Sequence, residues 1–169
     1  MGIRNFLIEG VSGTGKTTVC DALQRRGHHA VHGDRELAYQ GDPETGRPTG
    51  GFRHEHHIWN VTKVEALAAD HSNPATFFCG GSRNFPRFLH LFDGVFVLDV
   101  DLDTLLHRID QRVRADPTEW GGRPGDRELL TRLHRTQEDV PRGRVIDATA
   151  PVEHVVDEIL RHALSPKDK

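Results

Sequence analysis

The sequence predicts a three-layer α/β/α fold, in which helices cover both faces of a five-stranded parallel sheet. Short apolar segments alternate with longer segments of helical periodicity along the 169 residues, and this alternation is typical of parallel sheets. A glycine-rich loop joins the first apolar segment to the first helical one, which gives a strand–loop–helix unit at the start of the chain. The length suits a single domain over residues 1–169.

Five apolar segments are predicted to be strands. Each is short and mainly apolar, as expected of parallel strands that are covered on both faces. Ligands of such sheets bind beyond the carboxyl ends of the strands, so we expect the functional residues there. The predicted strands are residues 3–8, 29–31, 76–79, 95–99 and 145–146.

The helices are predicted from apolar positions at steps of three and four and from residues typical of helix ends. Gly27 suits the C-terminal cap of the first helix, and Asp101 suits an N-terminal cap. Pro151 is placed where a first helical turn tolerates proline. The predicted helices are residues 17–26, 58–68, 102–113 and 152–164.

Two stretches are too rich in Gly and Pro for regular structure and are predicted to be loops. Residues 41–51 read G-D-P-E-T-G-R-P-T-G-G, and residues 115–125 read A-D-P-T-E-W-G-G-R-P-G. Each is either an inert surface connection or a functional loop. The second follows Arg108, Arg112 and Arg114 and contains Arg123, which favours a lid over about residues 112–127.

Composition limits the classes of partner. The 22 Lys and Arg residues and 25 Asp and Glu residues leave a formal net charge of −3, so a nucleic-acid partner is not expected. Cys20 and Cys79 are far apart, which favours neither a disulfide framework nor a zinc site. No apolar run reaches the length of a membrane helix, and we expect no membrane association and a cytoplasmic location. The oligomeric state is left open.

The most specific feature is the segment from Gly10 to Thr17, G-V-S-G-T-G-K-T, which is a complete Walker A phosphate-binding loop. Glycines allow successive backbone N–H groups to point inward, and the following helix directs its positive dipole end at the phosphates. Lys16 would contact the outer phosphates, and the Thr17 hydroxyl would bind Mg²⁺. The predicted cofactors are therefore ATP and Mg²⁺. The residues expected to bind nucleotide in this segment and directly after it are Gly10, Ser12, Gly13, Thr14, Gly15, Lys16, Thr17 and Thr18.

The chain resembles the small P-loop kinases, which include nucleoside monophosphate, shikimate, gluconate and adenylylsulfate kinases, and is most similar to adenylate-kinase-like nucleoside kinases. The resemblance rests on the phosphate loop and on the segments H-G-D-R-E-L, C-G-G-S-R-N and D-V-D-L-D-T-L-L-H-R-I-D-Q-R. It implies a P-loop NTPase fold with a small lid and an acceptor-side loop at about residues 41–53. It also implies transfer of the γ-phosphoryl group of Mg·ATP to a small acceptor.

Asp34 follows the second predicted strand and is assigned the central role on the acceptor side. Its carboxylate would accept the proton of an attacking hydroxyl, or orient that hydroxyl, or complete the magnesium shell. An ordinary helix N-cap is the alternative. Arg35, which is adjacent to it, is expected on the substrate side by comparison with adenylylsulfate kinase.

Arg83 aligns with an arginine with which the monophosphate kinases bind an anionic group, and it is predicted to bind substrate. Arg87 is the rival for this role, and a solvated surface charge is the alternative for either residue. The same alignment shows a departure, because Cys79 occupies the position of the family's strand-end Asp. The expected source of the magnesium carboxylate is then Asp34.

The resemblance gives the lid arginines separate roles. Arg108 is expected to pack on adenine, and Arg112 and Arg123 are expected to contact phosphate. Arg108 and Arg112 are four residues apart and share one helix face, so a merely solvated basic face is the competing interpretation.

Trp59 is predicted either to lie in the core or to line the acceptor pocket, and we assign it to substrate binding. An aromatic residue there favours a nucleoside- or nucleotide-like acceptor. The neighbouring residues His54 and His57 have the spacing to share a helix face, but no third metal ligand is evident, so a polar helix start or substrate rim is favoured over a metal site.

Two functions are compared. The first is an ATP-dependent small-molecule kinase, and the second is an ATP-binding protein or ATPase that has a regulatory role and no small-molecule acceptor. The segments N-K-x-D and D-x-x-G that a GTPase switch would carry are not found, and the chain is short for a ring or transport ATPase. The sequence therefore favours the kinase.

Overall fold

The five predicted strands are present and form one parallel sheet in the computed structural model, which describes residues 4–164. Within that range there are seven strands, and the sheet has the order β2-β5-β1-β6-β7. The start of the first predicted strand, Ile3, lies outside the described residues. The strands are β1 (Arg4–Glu9), β2 (His29–His32), β3 (Ala38–Gln40), β4 (His57–Trp59), β5 (Ala75–Cys79), β6 (Gly94–Asp99) and β7 (Arg144–Asp147).

Strand β1 is central in the sheet, and its apolar residues Phe6, Leu7 and Ile8 are buried and project to both faces. In the sheet register, Ile8 is paired with Cys79 of β5 and with Phe96 of β6. The carboxyl ends of these three strands therefore lie at one edge of the sheet. The loop that follows β1 begins at this edge.

Helices cover both faces of the sheet and confirm the predicted three layers. One face carries the larger core cluster, to which α1, α4, α5 and α6 contribute, and the other carries a smaller cluster that includes Val64 of α3. Asp101 caps α4 through a hydrogen bond from the Thr104 backbone N–H, and Pro151 directly precedes α6. The helices are α1 (Lys16–Arg25), α2 (Gly33–Glu36), α3 (Val61–Ala69), α4 (Leu102–Ala115), α5 (Asp126–Thr136) and α6 (Val152–Ala163).

The structure differs from the predicted elements in several places. Ile58 belongs to strand β4, which pairs antiparallel with β3, instead of opening a helix. His54–His56 form a 3-10 turn, so they are not the start of a helix. The connection from β5 to β6 contains two further 3-10 turns, and α5 was not predicted. Three-residue strands and single turns are too short to produce a recognisable periodicity.

The Asn84 side chain fixes strand β4 against the main body. Its Oδ1 accepts from the Trp59 backbone N–H at 3.0 Å, and its Nδ2 donates to the Trp59 carbonyl at 2.9 Å. Asn84 and Trp59 are both buried, so water cannot replace these bonds easily.

Replacing Asn84 by Ala is expected to lower the free energy of unfolding by about 2–3 kcal/mol, because two buried backbone groups lose their partner. Denaturant unfolding of the variant measures this cost. Asn60→Ala is the matched control, since Asn60 accepts a single bond from Lys63 at the N-terminus of α3 and its loss should cost about 1 kcal/mol. Equal costs for the two variants would contradict the assignment.

Candidate active site

A cavity of about 1030 Å³ opens beyond the carboxyl ends of the central strands. Its wall contains the phosphate loop, the start of α2, the 3-10 turn at His54, the Arg83 segment, α4 and the loop after β7. This is the place at which open α/β sheets bind ligands. The predicted site residues that line it are Gly10, Ser12, Gly13, Thr14, Gly15, Lys16, Thr17, Thr18, Asp34, Arg35, Arg83, Arg108 and Arg112.

The phosphate loop depends on glycine where its backbone turns most sharply. Gly10 has φ +153°, and a Cβ there would lie 2.8 Å from the Leu98 carbonyl oxygen. Gly15 has φ +103° and directly precedes α1. The Thr14 hydroxyl donates to the Val11 carbonyl at 2.8 Å, which holds the loop closed on itself. The loop therefore presents its backbone and the N-terminus of α1 to the cavity.

Lys16 begins α1, and its Nζ donates to the Gly10 carbonyl across the loop. Burial lowers the pKa of Lys16, and the carboxylates of Glu9 and Asp34 oppose this effect. The ammonium is thus placed inside the loop, at the entrance to the cavity.

Glu9 is a buried carboxyl group that was not predicted. Its side chain, at the end of β1, is 1% exposed, and Oε1 accepts from the Gly10 backbone N–H at 3.0 Å. Burial raises the pKa of Glu9 to about 7, although Lys16 and Arg83 oppose the increase. Gly81 leaves room for this carboxyl group, since a Cβ there would lie 2.7 Å from Oε1. A charged residue ending an apolar strand is the only sequence signal for it.

Asp34 is turned towards the cavity and is not a helix cap, because α2 has His32 at its N-cap position and no side-chain cap. Its Oδ1 lies 2.9 Å from His57 Nε2 and accepts a long bond, 3.4 Å, from the Gly81 N–H. Partial burial raises the pKa of Asp34, but the His57 bond and the charge of Lys16 outweigh it, and the pKa lies below its usual value. The Asp34 side chain is therefore an ionised carboxylate that accepts hydrogen bonds.

Arg83 reaches the cavity, but its guanidinium forms a short ion pair with Asp139, which follows α5. Asp139 Oδ2 also lies 2.6 Å from His54 Nε2, and Arg83 lies 3.3 Å from the same ring nitrogen. Partial burial raises the pKa of Asp139, but His54 and Arg83 lower it by more, so the pKa lies below its usual value. The Asp139 carboxyl group is therefore ionised. The rival Arg87 instead donates to the Glu44 carbonyl at 2.9 Å. Asp139 was not predicted, since nothing local marks its contact with Arg83.

The three lid arginines lie in different environments. Arg108 donates to the Ala148 carbonyl at 2.8 Å, and Arg112 donates to the Ser12 hydroxyl at 2.9 Å, so both lie against the phosphate loop or the loop after β7. Arg123 is not on the cavity wall, because its guanidinium lies over the Phe52 ring at 5.1 Å. Phe52 lies in the predicted acceptor-side loop, so the two Gly- and Pro-rich loops are in contact.

Trp59 does not line the cavity, and its assignment to substrate binding is wrong. Its side chain is 1% exposed and stacks on Phe88 at 5.6 Å. The ring lies directly under Gly33 and Gly80, where an added Cβ would approach it to 2.1 and 2.9 Å. The ring is thus the floor on which the Asp34 segment rests. Phe52 and Trp120 are the aromatic residues on the cavity wall.

Cys79, at the end of β5, contributes no charge to the site. Burial raises the pKa of its thiol well above the usual value, and contact with Cys20 of α1 adds to the increase. Both thiols are buried and unpaired by disulfide. Carboxyl groups are supplied instead by Glu9 on the adjacent strand and by Asp34.

The histidines after the acceptor-side loop do not converge on one metal position. His54 pairs with Asp139 and His57 pairs with Asp34, and both line the cavity. Among residues 4–164 there is no group of three or more His, Cys, Asp or Glu side chains arranged to hold a metal ion. Both histidines therefore form part of the rim, where they orient carboxylates.

Residues 7–129 match the family model of the AAA domain, and this stretch includes the phosphate loop, Asp34, Arg83 and α4. The chain belongs to the AAA domain family. No curated protein sequence matches this AAA domain significantly. In its described part, no helix has both the length and the apolar character needed to cross a membrane.

The fold of this AAA domain is similar to that of several kinases of known structure. Shikimate kinase from Acinetobacter baumannii, in complex with shikimate, has a TM-score of 0.64 at 19% identity over 99% of this chain and 96% of that one. A gluconokinase from Sinorhizobium meliloti 1021 has a TM-score of 0.56 at 17% identity, over 95% and 94% of the two chains. Deoxyadenosine kinase from M. mycoides, with bound dATP, has a TM-score of 0.50 at 16% identity, over 95% and 100%. These likenesses confirm the predicted P-loop kinase fold.

Proposed function

We propose that this protein is a phosphotransferase, an ATP-dependent kinase that transfers the γ-phosphoryl group of Mg·ATP to a small hydroxyl or phosphate acceptor, of nucleoside- or nucleotide-like size. The observation that carries the proposal is that the phosphate loop and the Asp34 carboxylate line the same cavity. An ionised carboxylate in this position suits a group that orients an acceptor hydroxyl next to the transferred phosphoryl group. The cytoplasm, where ATP is available, is the proposed setting.

Mg²⁺ requires oxygen ligands, and the cavity offers them at the phosphate loop. The Thr17 hydroxyl is at the first turn of α1 and is exposed to the cavity. Asp34 provides the carboxylate that Cys79 lacks. Thr17 would thus hold the ion, with Asp34 as its carboxylate ligand in the alternative to the base role, and the ion would supply charge neutralisation for the phosphates.

The other side chains around the phosphate loop are assigned to phosphate binding, acceptor orientation and lid closure. Lys16, Arg108 and Arg112 provide positive charge for the polyphosphate. Asp34, held by His57, orients the acceptor hydroxyl and accepts its proton. Arg123 would join the site through movement of the lid around its present contact with Phe52.

ATP-dependent release of ADP, measured against a panel of nucleosides, nucleotides and small hydroxylated metabolites, tests the proposal. Turnover that depends on one acceptor class supports it. ATP binding without turnover on any member of the panel would instead favour the regulatory ATP-binding protein.

Lys16→Ala is expected to weaken ATP binding about ten- to hundredfold, because a charge-assisted bond to phosphate is lost. Calorimetric titration with Mg·ATP measures the change. Lys63→Ala, which removes an exposed ammonium from α3, is the control and should bind ATP like the wild type. Wild-type affinity in Lys16→Ala would rule out the assigned role of the loop.

A further inference from the structure

The acceptor half of the cavity contains two carboxylates, and each is held by its own histidine. Asp34 is held by His57 at 2.9 Å, and Asp139 is held by His54 at 2.6 Å. Each carboxylate is also bonded by a second donor, since the Arg83 guanidinium contacts Asp139 and the Gly81 N–H donates to Asp34 Oδ1, which is the bonding pattern of ionised carboxylates. Ionised carboxylates only accept hydrogen bonds, which suits an acceptor that donates them.

Arg83, the residue expected to bind an anionic group of the acceptor, already forms contacts within the protein. The Arg83 side chain is 12% exposed, and its guanidinium contacts both Asp139 and His54. A carboxylate or phosphate on the acceptor would have to approach this guanidinium beside the carboxylate of Asp139, and such a juxtaposition of like charges is costly. Arg35 also lines the cavity, but its side chain is exposed, where an ion pair contributes little.

The charges of the cavity are divided between its two halves. Lys16, Arg108 and Arg112 surround the phosphate loop, which suits a polyphosphate. The part of the cavity around Arg83 holds that paired guanidinium and the carboxylates of Asp34 and Asp139, so its potential does not favour a second anion.

Two aromatic side chains complete the acceptor half. Phe52 is 50% exposed, and Trp120 packs on the His54 ring with a centroid distance of 5.7 Å. Aromatic faces together with ionised oxygen acceptors are suited to a ring that carries hydroxyl groups.

We propose that the phosphoryl acceptor is a neutral polyhydroxylated molecule of the nucleoside or sugar class, whose hydroxyl groups donate to Asp34 and Asp139, and that Asp139 excludes acidic acceptors by occupying Arg83. This inference rests on the proposed kinase function. In the transfer, the acceptor hydroxyl oxygen forms a bond to the γ-phosphorus, the bond from that phosphorus to the β–γ bridging oxygen breaks, the hydroxyl proton passes to Asp34, and ADP leaves.

Matched pairs of acceptors test the proposal in the wild-type protein without any substitution. The pairs are adenosine and its 5′-monophosphate, guanosine and its 5′-monophosphate, and glucose and gluconate. We expect the neutral member of at least one pair to have a kcat/KM at least about tenfold higher than its acidic partner. A wild-type protein that prefers the acidic member of every pair it uses would overturn the proposal.

Asp139→Asn tests the exclusion directly, because it releases Arg83 while preserving the size of the side chain. The ratio of kcat/KM for the acidic member to that for the neutral member should rise about ten- to hundredfold. Glu138→Gln is the control, since Glu138 pairs only with the exposed Arg132 among the residues described, and its ratio should stay at the wild-type value. An unchanged ratio in a folded Asp139→Asn protein would overturn the proposal.

Calorimetric binding of the same pairs separates this inference from the kinase function. Selective binding of neutral members without phosphoryl transfer would remove the kinase proposal and leave the acceptor class standing. Phosphoryl transfer to the acidic members alone would support the kinase proposal and overturn the proposed acceptor class.

Discussion

Replacing Asp34 by Asn is expected to lower kcat for the acceptor by about 10²- to 10⁴-fold, the usual contribution of a positioned base. Asn retains the size of the side chain but cannot accept a proton from the hydroxyl. ATP binding should change much less, because the phosphate loop is untouched. Steady-state kinetics with the identified acceptor and calorimetric titration with Mg·ATP measure the two effects.

The same variant distinguishes the two roles considered for Asp34. If Asp34 completes the magnesium shell, high Mg²⁺ concentrations should restore part of the turnover of Asp34→Asn, whereas a lost base is not restored. Glu36→Gln is the matched control, because Glu36 is on the same short helix and is exposed. A kcat of wild-type size in Asp34→Asn would exclude both roles.

Glu9→Gln is expected to change how stability depends on pH. The folded state raises the pKa of Glu9 from 4.5 to about 7, so it binds the proton more tightly than the unfolded chain does. The free energy of unfolding contributed by this group is therefore present in full below about pH 4.5 and is lost as pH rises to about 7. The raised pKa corresponds to about 3 kcal/mol. The Gln side chain does not titrate, so the variant does not lose stability through this group as pH rises.

Denaturant unfolding from about pH 4.5 to pH 8 tests the effect of Glu9. The stability of Glu9→Gln minus that of the wild type should increase by about 3 kcal/mol across this range, since the contributions of all other groups cancel. Glu65→Gln, on the exposed face of α3, should show a constant difference. A constant difference for Glu9→Gln as well would show that the carboxyl group is not buried in the folded protein.

The sheet and the phosphate loop could be predicted because each leaves a local signal. Strand β1 contains three consecutive apolar residues, and the loop after it has a fixed spacing of glycines and Lys16. The hairpin of β3 and β4 could not be predicted, because each strand has three residues and is defined by its pairing with the other.

The acceptor side could be predicted only in part. Asp34 could be predicted because it follows a strand. The contact between Asp139 and Arg83 depends on how α5 packs against the rest of the protein, and no local sequence pattern indicates that packing. The error on Trp59 has the same origin. An aromatic side chain is suitable for a core or for a cleft, and only the neighbouring Gly33 and Phe88 decide that this one is in the core.

The contact between Cys20 and Cys79 allows the separation of α1 from the sheet to be measured by thiol chemistry. Both thiols are at most 3% exposed, and they join the helix behind the phosphate loop to the strand that precedes Gly80. A thiol of raised pKa that water cannot reach reacts with an alkylating reagent only after the surrounding structure separates. The rate of alkylation therefore follows the separation of α1 from the sheet, and a ligand that stabilises the phosphate loop slows it without any added label.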